Sequence, residues 1–540
     1  MKKYLIIGIL LYWATWLGAQ TTPEQFTVSI EKVQQFSNAP ALHSFVIGQA
    51  NDKWLLIGGR KDGLHRRQPW AAFQATDNNV TVYVVDVQTK QVWSAALSSL
   101  GTSYQEQLQS TNMNFKQVDS LLYIVGGYGY SATSVDHITY PYITVVNVPQ
   151  VIDAVVNGTS FTSHFRQVQH SFMEVTGGQL GYLDGTFYLA GGQKFIGRYN
   201  PMGPTHGPGF IQEYTNAIRK FKIVDNAGTL SVQQATEWYD SLNLHRRDYN
   251  MVPQIFPNGE TGFTIFSGVF QYGQDLPWLN TVNVDTGGYA VVPQFDQMLT
   301  QYHSAKMGIH DASANIMHSI FFGGMSRYHF DSTGTMWDDP NVPFVKTISQ
   351  VTRFSNDSLM EYELTAKMPG FLGSGAEFFP LHTVAYDDQE ILDLNNLPTG
   401  KTLVGHIYGG IESSQENIFF INTGVESWAS NAIFEVYIEK TVNTALVEPD
   451  AVESKDVLLM TVFPNPVKDQ AKISFSVPYY SNYQLTVINS AGKLVKKVAK
   501  GEGKGQFITT IDTKRMADGI YFVVLENDGF RRVEKISVQK

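Results

Sequence analysis

Four short stretches set a histidine in the same kind of place: LHSF at His43, QHSF at His170, YHSA at His303 and LHTV at His382. An imidazole can accept a hydrogen bond or pass a proton near neutral pH. Recurrence points first to a repeated structural duty, a hydrogen bond to the backbone of the neighbouring unit. Residues that break the pattern are the better candidates for chemistry. HRRDY takes the place in the fourth unit and supplies Arg246, Arg247 and Asp248, while Glu377 stands ahead of the sixth. Guanidinium is a planar fork of donors suited to carboxylates and sugar hydroxyls, and a carboxylate beside an imidazole suits acid–base work.

Long loops add aromatic rings. RKDGLHRRQPWAAFQ, QKFIGRYNPMGPTHGPGFIQEY and MSRYHFDSTGTMWDDPNVPF carry Arg60, Trp70, Phe195, Arg198, Tyr199, Tyr328 and Trp337, and Tyr128 and Tyr130 follow a further strand. Rings on loops give stacking area at low entropic cost. The ligand-binding candidates are therefore Arg60, Trp70, Tyr128, Arg198, Tyr199, Arg246, Arg247, His303, Tyr328, Trp337 and Glu377. The chain has no cysteine, which excludes thiol nucleophiles, thiolate metal sites and disulfides. It has no HExxH, no GxSxG and no phosphate-cradling loop. The acidic run YDDQEILDLNN lacks the ligand spacing and central glycine of a calcium loop and reads as a solvated insertion. No cofactor and no metal are expected.

The elements that must position these residues repeat. TFYLAGGQ, a short apolar strand stopping on two glycines, has relatives at Gly58–Gly59, Gly126–Gly127, Gly191–Gly192, Ser267–Gly268, Gly323–Gly324 and Gly409–Gly410, counting itself. An alternating strand, a turn and another strand follow most copies, as in VTVYVVDVQTKQVW and ITVVNVPQVIDAVV, and a strand such as HSFVIG or HSFMEV precedes them. The unit is a four-stranded antiparallel meander. Alternating strand direction sends the loop into strand one and the loop between strands two and three to the same face, so the candidates share a rim.

These units resemble the kelch repeat. The resemblance implies an all-β fold, a six-bladed kelch-like β-propeller over residues 21–445, with each glycine pair where neighbouring blades approach. No outermost strand follows AIFEVYIEK, and QFTVSIEKV at the start is an orphan. Pairing them completes the last blade and removes an exposed edge. Essentially no helix is expected outside the leader. Galactose oxidase shares a kelch-like propeller but needs a tyrosine joined to cysteine, which this chain lacks. FDSTGTMW is one residue too long for the Asp-box of sialidases. A kelch-type sialic acid mutarotase would use Arg, Glu and His at a channel mouth, roles that Arg246, Glu377 and His303 could fill.

The two ends speak of export. Lys2 and Lys3 precede a short apolar run ending at Gly18 and Ala19, the pattern of a secretory signal peptide over 1–20. No later stretch is long enough to span a membrane. Residues 446–456 read as an acidic linker. From 457 to 540 the strands alternate in the manner of a small β-sandwich, and the stretch resembles the C-terminal sorting domain of the bacterial type IX secretion system. The matching residues are Phe463, Pro464, Asn465 and Pro466, then Gly492 and Lys493, then Asp518, Gly519, Ile520 and Tyr521, with EKISV at the end. The resemblance implies passage through the periplasm and outer membrane to the cell surface or medium, with the type IX machinery as partner.

Whole-chain charge is −10, but 457–540 carries a net +6 and the two leading lysines +2, which leaves −18 on residues 21–456. Nucleic acid is a poor partner for such a body. The expected function is an exported or cell-surface module that binds a glycan or protein ligand through one loop-rich rim. The alternative is a sugar-modifying enzyme of the mutarotase or glycan-processing class.

Overall fold

The computed structural model describes residues 26–441 and 460–540, apart from 204, 206, 208, 227, 293–294, 332–334, 464–465, 490–492 and 528–529. The expected leader and linker lie outside these residues, as do Pro464, Asn465, Gly492 and the side chain of Phe463.

Apolar runs bounded by glycines and polar turns form strands, and the described residues are all-β with two short helices. Six of the sheets follow one another along the chain, each built on four antiparallel strands, with a short fifth strand added to the fifth and the sixth; Tyr128–Ser131, Asp136–Thr139, Gln193–Ile196 and Ile211–Tyr214 form a further four-stranded sheet from the loops. The first holds Val46–Ala50, Lys53–Ile57, Thr81–Asp86 and Gln91–Ala96. The second holds Asn114–Val118, Leu121–Val125, Tyr142–Asn147 and Phe165–Gln169; the third, Gln179–Leu183, Thr186–Ala190, Ala217–Asn226 and Thr229–Tyr239. Asn250–Ile255, Thr261–Phe266, Val282–Val284 and Tyr289–Val291 make the fourth, and Ala305–Asp311, Ile316–Phe322, Thr347–Arg353 and Leu359–Lys367 the fifth. In the sixth, Phe371–Pro380, Gly400–Ser413 and Ile433–Lys440 are joined on the outside by the chain's first strand, Phe26–Lys32. Its register runs from Phe26 opposite Lys440 to Lys32 opposite Phe434.

Burial grades from inside to outside. Second strands such as Ile316–Phe322 are mostly apolar and wholly buried, as strands covered on both faces must be. Outer strands such as Gln91–Ala96 alternate toward solvent. Apolar clusters fill the space between successive sheets: Val46, Leu55 and Val82 of the first pack with Leu122, Ile124 and Val146 of the second.

Each glycine pair sits at a close approach. The N–H of Gly59 donates to Ser110 O, that of Gly127 to Val175 O, that of Gly192 to Arg246 O and that of Gly324 to Leu372 O, all ahead of or entering the next sheet and at 2.7–3.1 Å. Gly126, at φ +65°, has no room for a side chain, since a Cβ would lie 1.9 Å from Val175 O. At the fourth copy Ser267 adopts φ +56° and is fully buried.

Several expectations are corrected. Two α-helices occur among the described residues, Thr102–Leu108 and Val148–Val156. The second replaces the strand expected in VPQVIDAVV. Asn147 caps it by accepting from the Gln150 N–H, Pro149 fits its first turn, and Val148, Val151, Ile152 and Val155 fall on one buried face. HSFMEV is not a strand: Ser171–Met173 is a 3-10 turn, and the first strand of the third sheet begins at Gln179. YDDQEILDLNN is no solvated insertion, because Ile391–Asp393 pairs in parallel with Gly308–His310 and Leu392 and Leu394 are fully buried. Apolar residues at 391, 392 and 394 supply the reason.

At the C-terminus, Met460–Phe463, Gln470–Asn489, Leu494–Asp512, Gly519–Asn527 and Phe530–Val538 share one hydrogen-bonded sheet. The first part of Gln470–Asn489 pairs with Met460–Phe463 and its last part with Gly519–Asn527. Ile473, Phe475, Leu485, Val487, Val523 and Ile536 form its core. Pro466, Lys493 and Asp518 are exposed, Gly519 opens a strand, Ile520 is half-exposed, and the Tyr521 hydroxyl donates to Ala517 O at 3.0 Å.

Candidate functional site

One cavity of about 150 Å³ is lined by residues from the first strand of every one of the six sheets, among them Ile47, Phe115, Leu180, Val252, Met307 and Phe378. His303 and Glu377 also line it. His303 precedes the first strand of the fifth sheet with φ +24°, and Glu377 lies within the first strand of the sixth. Their Nε2 and Oε1 atoms are 3.3 Å apart. Lys116 and Glu390 line the cavity too and form an ion pair at 3.2 Å.

A second group gathers on the loops. Arg60 is buried and makes a two-toothed pair with Asp62 at 2.8 and 2.7 Å. Burial opposes ionisation of Asp62, but His43 and Arg60 beside it hold its carboxyl far below the usual range. The Arg60 guanidinium lies 5.1 Å from the Phe73 ring. Phe73 meets Tyr128 edge-on at 5.3 Å and Tyr199 at 5.9 Å, and His65 meets Tyr199 at 4.8 Å. Tyr128 donates to Gly197 O at 2.8 Å and accepts from the Tyr199 N–H at 2.9 Å, so this buried hydroxyl holds the Arg198–Tyr199 loop in place. Burial, then the nearby Arg247 charge, lowers the His65 pKa to about 4.

Arg247 pairs with Asp248, donates from Nε to the Tyr214 hydroxyl at 3.3 Å and lies 4.9 Å from the Phe270 ring. Tyr302 packs in the same cluster as Phe270. Burial raises the Tyr302 phenol well above its usual value. The Tyr302 hydroxyl and His65 Nδ1 are buried and make no hydrogen bond.

Of the sequence candidates, Arg60, Tyr128 and Tyr199 come together, and His303 and Glu377 meet at the cavity. Arg246 belongs elsewhere. It is 1 % exposed, and it donates to Asn243 O, Ser267 O, Asn280 O and Asn280 Oδ1 at 2.6–2.8 Å. Every one of those acceptors is part of the fold, so four of the five N–H groups of this buried guanidinium are taken by the protein itself. Tyr328 is buried beside Arg327, whose guanidinium is 4.8 Å from its ring. Trp337 lies apart on a hairpin, exposed, with Nε1 donating to Asp331 Oδ2 at 2.9 Å. Trp70 is exposed, and its carbonyl accepts from Arg198.

The four histidines are not equivalent. His43 lies 3.1 Å from Ser44 Oγ and 3.6 Å from Asp62. His170 accepts from the Phe172 N–H, and His382 is exposed beyond the end of Phe371–Pro380. None of these contacts is to the backbone of a neighbouring sheet. Asp62, His65, Phe73 and Tyr302 were missed by sequence reasoning. The first three stand in RKDGLHRRQPWAAFQ, so the signal was the loop itself; Tyr302 had only its place beside His303. No group of three or more His, Asp or Glu side chains is placed to hold a metal ion among the described residues.

Residues 461–539 match the family described as the secretion system C-terminal sorting domain. No curated protein matches the chain. Among solved structures it is similar to a fungal alcohol oxidase of the AA5 family in complex with copper, at 10 % identity and TM-score 0.36, covering 96 % of this chain and 100 % of that one. It is also similar to YjhT, at 12 % identity and TM-score 0.39, covering 75 % and 100 %. A cryo-EM structure of RAG with one melted and one unmelted RSS gives 10 % and 0.37, covering 77 % and 100 %. The sorting domain directs the chain by type IX secretion to the cell surface or exterior. No helix among the described residues is long and apolar enough to cross a membrane.

Proposed function

We propose, with type IX export as the premise, that residues 21–445 are a binding module whose six sheets are the blades of a kelch-like propeller. The cavity lined by all six first strands supports that arrangement, as do the glycine N–H groups that reach the next sheet. The C-terminal strands are the sorting domain, read as a small sandwich. The ligand, a glycan or a protein, is held on the loop-rich rim around Arg60, Tyr199 and Arg247. One observation carries this reading: Tyr302 Oη and His65 Nδ1 are buried without partners in the field of Arg247. Buried polar atoms are ordinarily satisfied, and a ligand supplies what the fold does not.

Calorimetry and glycan-array binding with the exported chain test it. Arg247→Ala should weaken binding in a variant that still unfolds cooperatively. Unchanged affinity in that variant sinks the rim assignment.

A second reading rests on the 3.3 Å contact of His303 with Glu377 at the cavity: a sugar-modifying enzyme using the pair as acid and base. Turnover of a bound sugar, lost in Glu377→Gln, favours it; binding without product favours the module.

A further inference from the structure

Ten arginines lie between residues 26 and 441. Most face a carboxylate, as Arg60 faces Asp62 and Arg327 faces Asp338, and Arg246 is enclosed by carbonyl oxygens. Arg66, Arg67 and Arg198 have no carboxylate partner among the described residues. In a body of net −18 these uncompensated cations are concentrated in one place.

The place is built. Leu64 N–H donates to Ser427 Oγ at 2.9 Å, and Arg67 N–H donates to Asn422 O at 2.9 Å. The Asn422 amide donates to the carbonyls of Leu64 and His65 at 2.7 and 3.0 Å. Two loops, one from the first sheet and one from the sixth, are thus stitched together. Arg198 joins them by donating to the Trp70 carbonyl. The Arg67 guanidinium lies 4.8 Å from the ring of Phe420, while Arg66 Nε is buried and makes no hydrogen bond. Trp70 is 66 % and Phe420 60 % exposed on the same platform.

We propose that this platform binds an acidic polysaccharide, with its carboxylate or sulfate groups taken by Arg66, Arg67 and Arg198 and sugar faces laid on Trp70 and Phe420. This rests on the rim-binding reading above and names the ligand class. Planar guanidinium forks match carboxylate and sulfate oxygens, and exposed rings offer flat apolar area to sugar C–H faces. Charge separates a polymer from an anionic bilayer. A bilayer meets the whole face of a body of net −18, whereas a thin chain feels charges only within a screening length of about 8–10 Å, where three arginines outnumber the Glu426 carboxylate that the Thr423 and Gly424 N–H groups hold in the same loop.

The test uses the full chain in affinity electrophoresis through polygalacturonate, dextran sulfate or neutral dextran, with sedimentation on phosphatidylglycerol vesicles alongside. Retention by at least one anionic polymer, loss of retention in high salt and none by dextran are expected. The double variant Arg67→Gln with Arg198→Gln should weaken retention about tenfold or more, and Arg67→Lys should recover only part of it. Equal retention by dextran, binding to vesicles alone, no retention by either anionic polymer, or an unchanged double variant with an unchanged melt overturns the proposal. The rim reading fails separately, when Arg247→Ala leaves the affinity of a glycan or protein ligand unchanged.

Discussion

Gly410 of the sixth sheet donates its backbone N–H to the carbonyl of Leu42, 2.9 Å away and just ahead of the first sheet. The last sheet is thereby joined to the first by the same bond that Gly59, Gly127, Gly192 and Gly324 make onward. Gly409 beside it has φ +74°, and a Cβ there would lie 2.6 Å from that carbonyl.

Substituting one of these glycines strains the backbone and forces two sheets apart. Gly126→Ala should cost about 3 kcal/mol or more, since left-handed strain alone accounts for about 1–3. Gly185→Ala is the control: its φ is +77° but nothing lies within 4 Å of the added Cβ. Urea unfolding should show a clearly larger loss at 126, and equal losses contradict the close-approach account.

The first strand covers the edge of Ile433–Lys440 along seven residue pairs, and Val28 packs with Val436 and Ile438. Deleting Phe26–Lys32 should bare a row of unpaired N–H and C=O groups. Light scattering should then rise with protein concentration and the melting temperature should fall. A monomeric deletion variant with the native melt argues against the strand's structural role.

Glu361 is fully buried, and its carboxylate accepts from the N–H groups of Met298 and Leu299 at 2.8–3.2 Å. Burial outweighs those bonds and raises its pKa to about 8. The folded state therefore holds this proton more tightly than the unfolded chain. Its contribution is fully present below the unfolded pKa of about 4.5 and is lost as pH rises through about 8, at up to about 1.4 kcal/mol per pH unit. Unfolding midpoints of the native protein and Glu361→Gln should draw apart between pH 5 and pH 8, the glutamine variant holding the flatter profile. Parallel profiles would show that Glu361 is ionised throughout.

Arg246 and Arg247 should separate by phenotype. Arg246→Ala strands the carbonyls of Asn243, Ser267 and Asn280 in the interior, each a group costing about 1–3 kcal/mol when unsatisfied, so the melting temperature should fall sharply. Arg247→Ala leaves the part-buried Asp248 carboxylate without its cation, so its melt should fall as well, but by less. A reversed order in differential scanning calorimetry refutes the structural assignment of Arg246.

Most strands were legible because alternation of apolar and polar residues is a local property, and the glycine pairs because a left-handed backbone with no space for Cβ restricts the residue type wherever it recurs. The orphan strand could be matched to its place by counting. The helix Val148–Val156 was also written locally, in Asn147, Pro149 and the 148, 151, 152, 155 spacing, but a period-two reading borrowed from the repeat hid it. Histidine likeness misled for a related reason: HSF at 170–172 repeats the letters of 43–45, yet one forms a 3-10 turn and the other leads into a strand.

Sequence alone thus determined the strand-rich unit, its sixfold recurrence and the address carried by the C-terminal residues. Tertiary structure decided which polar groups are used up. Arg246 and Arg247 are neighbours of one type, yet one is closed in by carbonyls of the turns that flank the strands of the fourth sheet and the other is paired with Asp248 beside Tyr214. Asn243 and Asp248 are near in the chain, but Ser267, Asn280 and Tyr214 lie 21 to 34 residues away and reach these guanidinium groups only when strands pair and sheets pack; burial then sets the strength of each charge and the donors left over.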